Sequence, residues 1–206
     1  MMVFDFNLSH MTRSQGDQGA LAWVMRATPD KSLINREALY SVLFEDKKDY
    51  VLVTATDARR MHQARFDREW ILAQGIPLAT PERCGLEIVR RTKSSVKLGE
   101  DSPYMFPATD KVLDRALNRC TVKIQLPADM IREFVVSDVL GAIQDAGYRV
   151  PSLNSRLIEE LCTDQWVPTE LRIDPSTTDA PLLFRQPGDA HDRYAVIMPG
   201  SRKENS

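Results

Sequence analysis

Three histidines and three cysteines are the first candidates for chemistry, because imidazole and thiol groups act as bases, nucleophiles and metal ligands. The histidines are His10, His62 and His191, and the cysteines are Cys84, Cys120 and Cys162. All six lie far apart in a chain of 206 residues, and no Cys-x-x-Cys pair occurs. The spacing indicates neither a zinc site nor a disulfide framework, and the odd number of cysteines fits a reducing, cytoplasmic environment.

Catalytic motifs are absent from the sequence, which contains no GxSxG, no P-loop and no GxGxxG. His62 precedes Asp67, and His191 lies within "DAHDR", but neither group has metal-ligand spacing on a helix. The second group falls in a predicted turn, where Asp and His serve solubility. We therefore expect a non-enzymatic protein with no catalytic residue, metal or cofactor. A small hydrolase-type enzyme that uses the histidines is the remote alternative.

The composition predicts a globular chain without a general affinity for nucleic acid. Hydrophobic residues make up 43%, which is enough for one sizeable core or two small subdomains. The chain has 27 Lys+Arg against 29 Asp+Glu, so any contact with DNA needs a local basic patch. No run of 18 apolar residues and no signal peptide is recognisable, so we expect no membrane association.

The stretch "YVLVTATDARRMHQARF", residues 50–66, predicts two strands that turn at Asp57 and Ala58. Before it, "LAWVMRAT" predicts a strand that ends at Pro29, and residues 36–45 predict a helix capped by Asn35. After it, "GLEIVRRT" and "SSVKLGE" predict two strands, and "KVLDRALN" predicts a short helix.

The second half of the chain begins with a predicted strand, "CTVKIQLP". Residues 128–147 have a helical period that is broken near Ser137, so helix and displaced strand with loop both stay open, and Gly147 is a natural helix stop. A firmer helix is predicted for residues 155–163, capped by Asn154 or Ser155. Three strands, "TELRIDP", "APLLFRQ" and "DRYAVIMP", complete this half.

Both halves therefore follow one order of elements: strand, helix, three strands. We predict an α+β domain over residues 20–200, built of modules at about 20–100 and 119–200, with a flexible lead-in (1–19) and a frayed tail (201–206).

Three motifs resemble a known family. "LVTATDARRM" is similar to the "ATDGHRL" signature of the bacterial DNA polymerase III beta sliding clamp, "LNSRLIEEL" to that family's "N-x-x-x-L-x-x-x-L" helix start, and "YAVIMPG" to its C-terminal "YVVMPM". The resemblance implies a DNA-clamp-like domain of two βαβββ modules with antiparallel sheets. A family chain carries three such domains and the ring carries six. This chain has room for one, so a closed ring would be a homohexamer.

The resemblance also implies a hydrophobic pocket that binds short peptides from polymerases and the clamp loader. Carried over by position, its lining is Thr56, Ala58, Arg59, Arg60, Met61, Val196, Met198 and Pro199. Arg59 and Arg60 would lie at the rim, and methionine thioethers would adapt to varied side chains. The alternative is that Met61, Val196 and Met198 are ordinary core residues and Asp57 only forms a turn.

In the family, basic side chains on the helices inside the ring contact DNA phosphates without reading the sequence. The equivalent residues here are Lys31, Arg36 and Arg156. A richer patch, with Arg90, Arg91, Lys93 and Lys97, lies on a predicted strand pair, where a solvated face is the simpler interpretation.

We therefore expect a sliding-clamp-like processivity or docking factor of DNA replication. It would bind DNA weakly by encirclement, as a homo-oligomer joined through strand edges, and would bind partner peptides in the pocket. The alternative is a monomeric or dimeric clamp-fold interaction or regulatory module that does not encircle DNA.

Overall fold

The computed structural model describes residues 4–7, 16–29, 36–78, 84–92, 94–127, 130, 134–162 and 166–200. Within them, the strands are β1 (Phe4–Asn7), β2 (Ser41–Asp46), β3 (Tyr50–Thr56), β4 (Arg60–Asp67), β5 (Cys84–Arg91), β6 (Ser95–Met105), β7 (Val122–Gln125), β8 (Glu170–Ile173), β9 (Leu182–Arg185) and β10 (Tyr194–Ile197). The α-helices are α1 (Gly16–Met25), α2 (Arg68–Ala73), α3 (Thr109–Arg119), α4 (Val135–Asp145) and α5 (Ser155–Glu159). A short 3-10 turn spans Glu37–Leu39.

All ten strands belong to one antiparallel sheet with the order β1-β6-β5-β2-β3-β4-β10-β9-β8-β7. The predicted α+β class and its antiparallel pairing are confirmed. The order strand, helix, three strands occurs in β1 to β4 with α1, and again in β7 to β10 with α4 and α5. Pairing of β4 with β10 joins the two halves.

The two faces of the sheet carry two separate cores, because neighbouring side chains on a strand point in opposite directions. Ala195 of β10 faces the large core around α1, α4 and α5. The next residue, Val196, faces a small second core with Met61, Ala116 and Leu183, which α3 covers. The second core is the one that matters for the site.

Helix α1 corrects the prediction of a strand at residues 21–28. Ala20 through Met25 are all buried, so this short apolar run has no polar face from which the helical period could be read. The helix lies between the sheet and the segment after α5, where the Trp23 indole Nε1 donates a hydrogen bond to the carbonyl of Leu161 at 2.8 Å. A helix that is apolar all round has to be buried in this way.

Strand β2 corrects the prediction of a helix at residues 36–45. Val42, Leu43 and Phe44 are consecutive and buried, because β2 lies inside the sheet between β3 and β5 with both faces covered. Leu39, Val42 and Leu43 have the i, i+3, i+4 spacing of an apolar helix face, although they belong to a turn and a strand that is buried on both sides. Only the 3-10 turn at Glu37–Leu39 is helical here.

Several predicted elements are confirmed. The strands at "YVLVTAT" and "RRMHQARF" turn at Asp57 and Ala58, and the five strands predicted from "GLEIVRRT" to "DRYAVIMP" with the helix at "KVLDRALN" are all present, together with "CTVKIQLP". Gly147 ends α4 with a φ of 81°, as expected for a helix stop.

Of the two alternatives left open for residues 128–147, the helix is present as α4, and residues 128, 129 and 131–133 lie outside the described part of the chain. The helix is not interrupted at Ser137, whose hydroxyl donates to the carbonyl of Phe134 at 2.7 Å. The helix predicted over 155–163 ends at Glu159, and Asn154 caps it by accepting a hydrogen bond from the Arg156 backbone N–H.

Residues 4–7 of the predicted lead-in form β1 and pair with β6. The limits of the domain and of its two modules stay predictions. None of the helices in the described residues is long and apolar enough to cross a membrane.

Candidate functional site

The loop between β3 and β4 is closed by its own side chains. The Asp57 carboxylate oxygen Oδ1 accepts hydrogen bonds from the backbone N–H groups of Arg59 and Arg60, both at 2.9 Å. The Thr56 hydroxyl donates to the carbonyl of Arg60 at 2.7 Å and accepts from the N–H of Ala58 at 3.2 Å. The side chains of Asp57 and Thr56 thus pair the backbone groups of the loop locally, which glycine residues could not do.

Ala58 occupies the left-handed region, with a φ of 69°. The sliding-clamp motif has glycine at this position, and glycine adopts positive φ without a steric penalty. For alanine the same conformation costs about 1–2 kcal/mol.

Replacing Ala58 by glycine is therefore expected to raise the free energy of unfolding by up to about 1 kcal/mol, because relief of strain exceeds the entropy that glycine adds to the unfolded chain. Urea denaturation measures the change. Ala146 is a matched control, since it is exposed and has an ordinary φ of −75°. There the same substitution should lower the free energy of unfolding by about 0.4–1 kcal/mol. Equal losses at both positions would contradict the prediction.

Arg60 is buried rather than at a rim, which corrects one expectation. Its Nε lies 3.2 Å from Asp57 Oδ2, its Nη1 pairs with Glu160, and its Nη2 donates to the carbonyl of Arg26 at 2.6 Å. Only 7% of its side chain is exposed. Arg60 therefore joins the loop to α5 and to the end of α1.

The last strand lies directly against this loop. Val196 pairs with Met61, and Ile197 pairs with Arg60. The backbone N–H of Met198 donates to the carbonyl of Arg59 at 2.8 Å. Two motifs separated by more than 130 residues are thus brought together by the β4 and β10 pairing.

A groove with a volume of about 1480 Å³ opens beside these two segments. Its floor comes from the loop and β10, and its walls come from the 3-10 turn, β5, the end of β6, α3 and residues 179–181. Of the eight predicted pocket residues, six line it: Thr56, Ala58, Arg60, Met61, Val196 and Met198. Arg59 and Pro199 are not among its lining residues.

The floor of the groove is also part of the second core, so the pocket and core interpretations of Met61 and Val196 are compatible. Met61 and Val196 are almost fully buried. Met198, by contrast, is 40% exposed, as are Tyr104 (44%) and Val112 (39%) at the walls. Three exposed apolar side chains around one groove form a surface that a partner can cover.

Helix α3 forms a wall that the sequence did not predict for the pocket. Lys111, Arg115 and Arg119 follow one another at intervals of four residues and all line the groove. Such a stripe is visible in the sequence, but only the tertiary structure shows what it faces. Arg119 is held by Asp174, with Nη2 to Oδ2 at 2.8 Å.

Two neighbours of this wall have displaced pKa values. Hydrogen bonds from Ser176, followed by Arg119, lower the pKa of Asp174. Burial, together with Asp174, raises the pKa of the Cys120 thiol to about 11, and the thiol donates to the carbonyl of Pro181 at 3.1 Å. Cys120 is therefore a protonated core residue and not a nucleophile at neutral pH.

Solved structures with a similar fold include the DNA polymerase III beta subunit of Thermotoga maritima, with a TM-score of 0.55 and 11% identity over 97% of this chain and 65% of that chain. A DNA polymerase sliding clamp of Pseudomonas aeruginosa gives a TM-score of 0.52 at 15% identity over 97% and 66%. A Helicobacter pylori beta clamp bound to a DNA ligase peptide gives 0.51 at 10% identity over 97% and 65%.

The chain has the sliding-clamp fold. It spans about 65% of the length of the clamps it superposes on. Comparisons with protein-family models and with curated protein sequences give no match.

Of the three residues expected to face DNA, the structure describes Arg36 and Arg156, and these two lie in different places. Lys31 lies outside the described residues. Arg36 caps the 3-10 turn and lines the groove, because the helix predicted there does not form. Arg156 lies on α5, where its Nε is 2.7 Å from Glu160. Helix α1 contains no basic residue.

The basic patch on β5 and β6 has local partners. Lys97 pairs with Asp5 of β1 at 2.9 Å, and Arg91 donates to the carbonyl of Thr92. Lys93 lies outside the described residues. These contacts fit a solvated strand face.

The described histidines are held in structural contacts of the clamp fold. His62 stacks on Trp23 at 4.3 Å, and its Nδ1 donates to the carbonyl of that residue at 2.8 Å. Burial, with Arg60 nearby, lowers the pKa of His62 to about 3, so the ring is neutral. His191 Nε2 lies 3.1 Å from Asp17. His10 lies outside the described residues, within which no group of three metal-ligating side chains occurs.

Proposed function

We propose that this chain is a non-enzymatic docking module of DNA replication, which binds short peptide segments of partner proteins in the groove beside Met198. The partners would be of the polymerase, ligase or clamp-loader type. The observation that carries the proposal is the juxtaposition of the Thr56–Met61 loop with β10 beside an open groove. A Helicobacter pylori beta clamp of the same fold binds a DNA ligase peptide, which supports this kind of partner.

The apolar rim makes peptide binding physically reasonable. Met198, Val112 and Tyr104 are partly exposed, so a ligand that covers them removes apolar surface from water. The floor residues Met61 and Val196 are buried and pack against Ala116 of α3. A preformed groove keeps the entropic cost of binding low.

The test is selection of a random heptapeptide phage library on the full chain, followed by fluorescence anisotropy with the most enriched synthetic peptide. Met198→Asp and Val112→Asp should each weaken its binding by about 10-fold or more, because each variant replaces an apolar rim side chain with a carboxylate that loses water when the peptide covers it. Leu72→Asp is the matched control: Leu72 is 39% exposed and does not line the groove. Failure to enrich any peptide, or equal affinity for all three variants, would contradict the proposal.

DNA encirclement by a homo-oligomer is the second candidate. Within the described residues, β1 and β7 are the end strands of the sheet and each has one unpaired edge, to which a second copy could add. Each copy covers about 65% of one clamp chain, so three copies together match about two clamp chains, which is the six-domain ring of the family. A ring of this protein could therefore be a trimer as well as the expected hexamer. Light scattering that finds a trimer or hexamer, with retention on circular but not linear DNA, would support it. A stable monomer or dimer would rule it out.

The charge of α1, α4 and α5, the helices of the two strand, helix, three-strand units, favours docking over encirclement. In the described residues, α1, α4 and α5 carry Asp17, Asp138, Asp145 and Glu159 but only one basic residue, Arg156, which is paired. Phosphates gain little from such a surface.

A further inference from the structure

Two cations on α3 face the groove without an ionic partner. Lys111 and Arg115 lie one helical turn apart, are exposed, and line the groove together with Arg119. Arg119 is neutralised by Asp174. Among the described residues, neither Lys111 nor Arg115 forms an ion pair with a carboxylate. Each therefore keeps its charge available to a ligand.

These cations lie next to the apolar rim. Val112 follows Lys111 directly and is 39% exposed. Val112 and Arg115 are three residues apart on α3, and both line the groove together with Lys111, so a ligand that covers Val112 comes close to the two cations. Apolar and cationic contacts are offered by the same helical face.

The part of the groove lining that comes from the 3-10 turn and β5 has a different character. Glu37 and Glu87 belong to it, and the Tyr104 hydroxyl donates a hydrogen bond to Glu37, which raises the pKa of the tyrosine. Arg36 also lines this wall, and Asp179 lines the groove near residues 180–181. An acidic ligand group is repelled by the glutamates and attracted to α3, so the charges select one wall.

We infer that the groove selects peptide segments that carry an acidic residue beside their apolar anchors, and that this acidic residue contacts Lys111 and Arg115. The inference rests on the proposed function, because it names the chemistry of the peptide that the groove binds. A nucleic acid is the less suitable occupant: it carries a charge at every nucleotide, and Glu37 and Glu87 would repel it along its length.

The experiment reverses the charge of Lys111 and Arg115 and compares the amino-acid composition of the peptides that each chain selects. The heptapeptide library is selected in parallel on the wild-type chain, on Lys111→Glu/Arg115→Glu, and on Arg90→Glu/Arg149→Glu. The last variant changes the net charge equally, at exposed residues that do not line the groove. Circular dichroism melting curves check that all three chains are folded.

Wild type and the Arg90/Arg149 control are expected to enrich Asp and Glu next to apolar residues, whereas the Lys111/Arg115 variant is expected to enrich Lys and Arg instead. The enriched acidic peptide should bind the Lys111/Arg115 variant about 10-fold more weakly, since two attractive pairs become repulsive. Raising the salt concentration should weaken its binding to wild type and not to the variant.

Apolar peptides without an acidic preference on wild type would overturn this inference while leaving the proposed function intact. An acidic preference that survives the charge swap would also overturn it. If no peptide is enriched on any chain, the proposed function itself fails. A different outcome is that no peptide is enriched, while a fluorescent single-stranded oligonucleotide binds wild type and not the Lys111/Arg115 variant. That result would show that the two cations bind nucleic acid, and it would overturn both the inference and the proposed function.

Discussion

Replacing Arg60 by methionine is expected to lower the free energy of unfolding by about 3–5 kcal/mol, the usual cost of removing one partner from a buried ion pair. The change leaves Glu160 without its buried guanidinium partner and leaves the carbonyl of Arg26 without its donor. Asp57, which caps the loop, also loses an ionic contact. The substitution should therefore weaken peptide binding in the groove as well as lower the global stability. Urea denaturation measures the stability, and fluorescence anisotropy with the groove peptide measures the binding.

Arg68→Met is the matched control for this prediction. Arg68 also pairs with a carboxylate, Asp46, at 2.9 Å, but 35% of its side chain is exposed. Water solvates the remaining carboxylate there, so the loss of stability should be much smaller. Similar losses for the two variants would show that Arg60 does not act as a buried charge.

The pH dependence gives a second measurement of the same contact. Burial raises the pKa of Glu160, but Arg60 and Arg156 outweigh it, so the pKa is below its ordinary value of 4.5. A carboxyl group of this kind stabilises the fold above its unfolded-state pKa and loses that contribution as pH falls through the folded-state pKa. Glu160→Gln should therefore flatten the decrease in stability below about pH 4.5.

Replacing Trp23 by alanine is the second change with a large expected effect, a loss of about 3–5 kcal/mol in the free energy of unfolding. Trp23 is fully buried, stacks on His62 and lies 4.7 Å from the ring of Trp166. Its indole also donates to Leu161 across the core. The substitution opens a cavity between α1, β4 and the segment after α5, which should reduce the cooperativity between the two halves.

Trp70→Ala is the comparison for Trp23. Trp70 lies on α2, is only partly buried, and stacks on Phe66 at 5.8 Å. Its removal should cost clearly less, because the site stays open to water and no enclosed cavity is formed. Chemical denaturation followed by circular dichroism measures both variants. A larger loss at Trp70 than at Trp23 would contradict the assignment of Trp23 to the centre of the core.

The local features of the loop were readable from the sequence. Asp57 forms a turn through its side chain, and the surrounding residues alternate or are β-branched, so strand, turn and strand follow from short-range chemistry. The related motif has glycine at the position of Ala58, and this position has a positive φ in the structure. Short-range hydrogen bonds decide such features.

The elements around α1 and β2 were assigned wrongly for one physical reason. Ala20–Met25 and Val42–Phe44 are apolar runs buried on all sides, and hydrophobic periodicity identifies an element only when one of its faces is polar. Whether such a run becomes helix or strand depends on the surface that covers it. For Ala20–Met25 that surface includes Leu161 and Trp166, far away in the sequence.

By itself, the sequence determined most strands, the β3 to β4 turn and, through its motifs, six residues that line the groove. The tertiary structure alone decided that Arg60 is buried, that Arg36 lines the groove, and that α3 supplies the cationic wall. Sequence patterns predict the hydrogen bonds and the burial that arise between residues a few positions apart. A groove between β10, β6 and α3 instead depends on the pairing of β4 with β10, which no short stretch of the chain encodes.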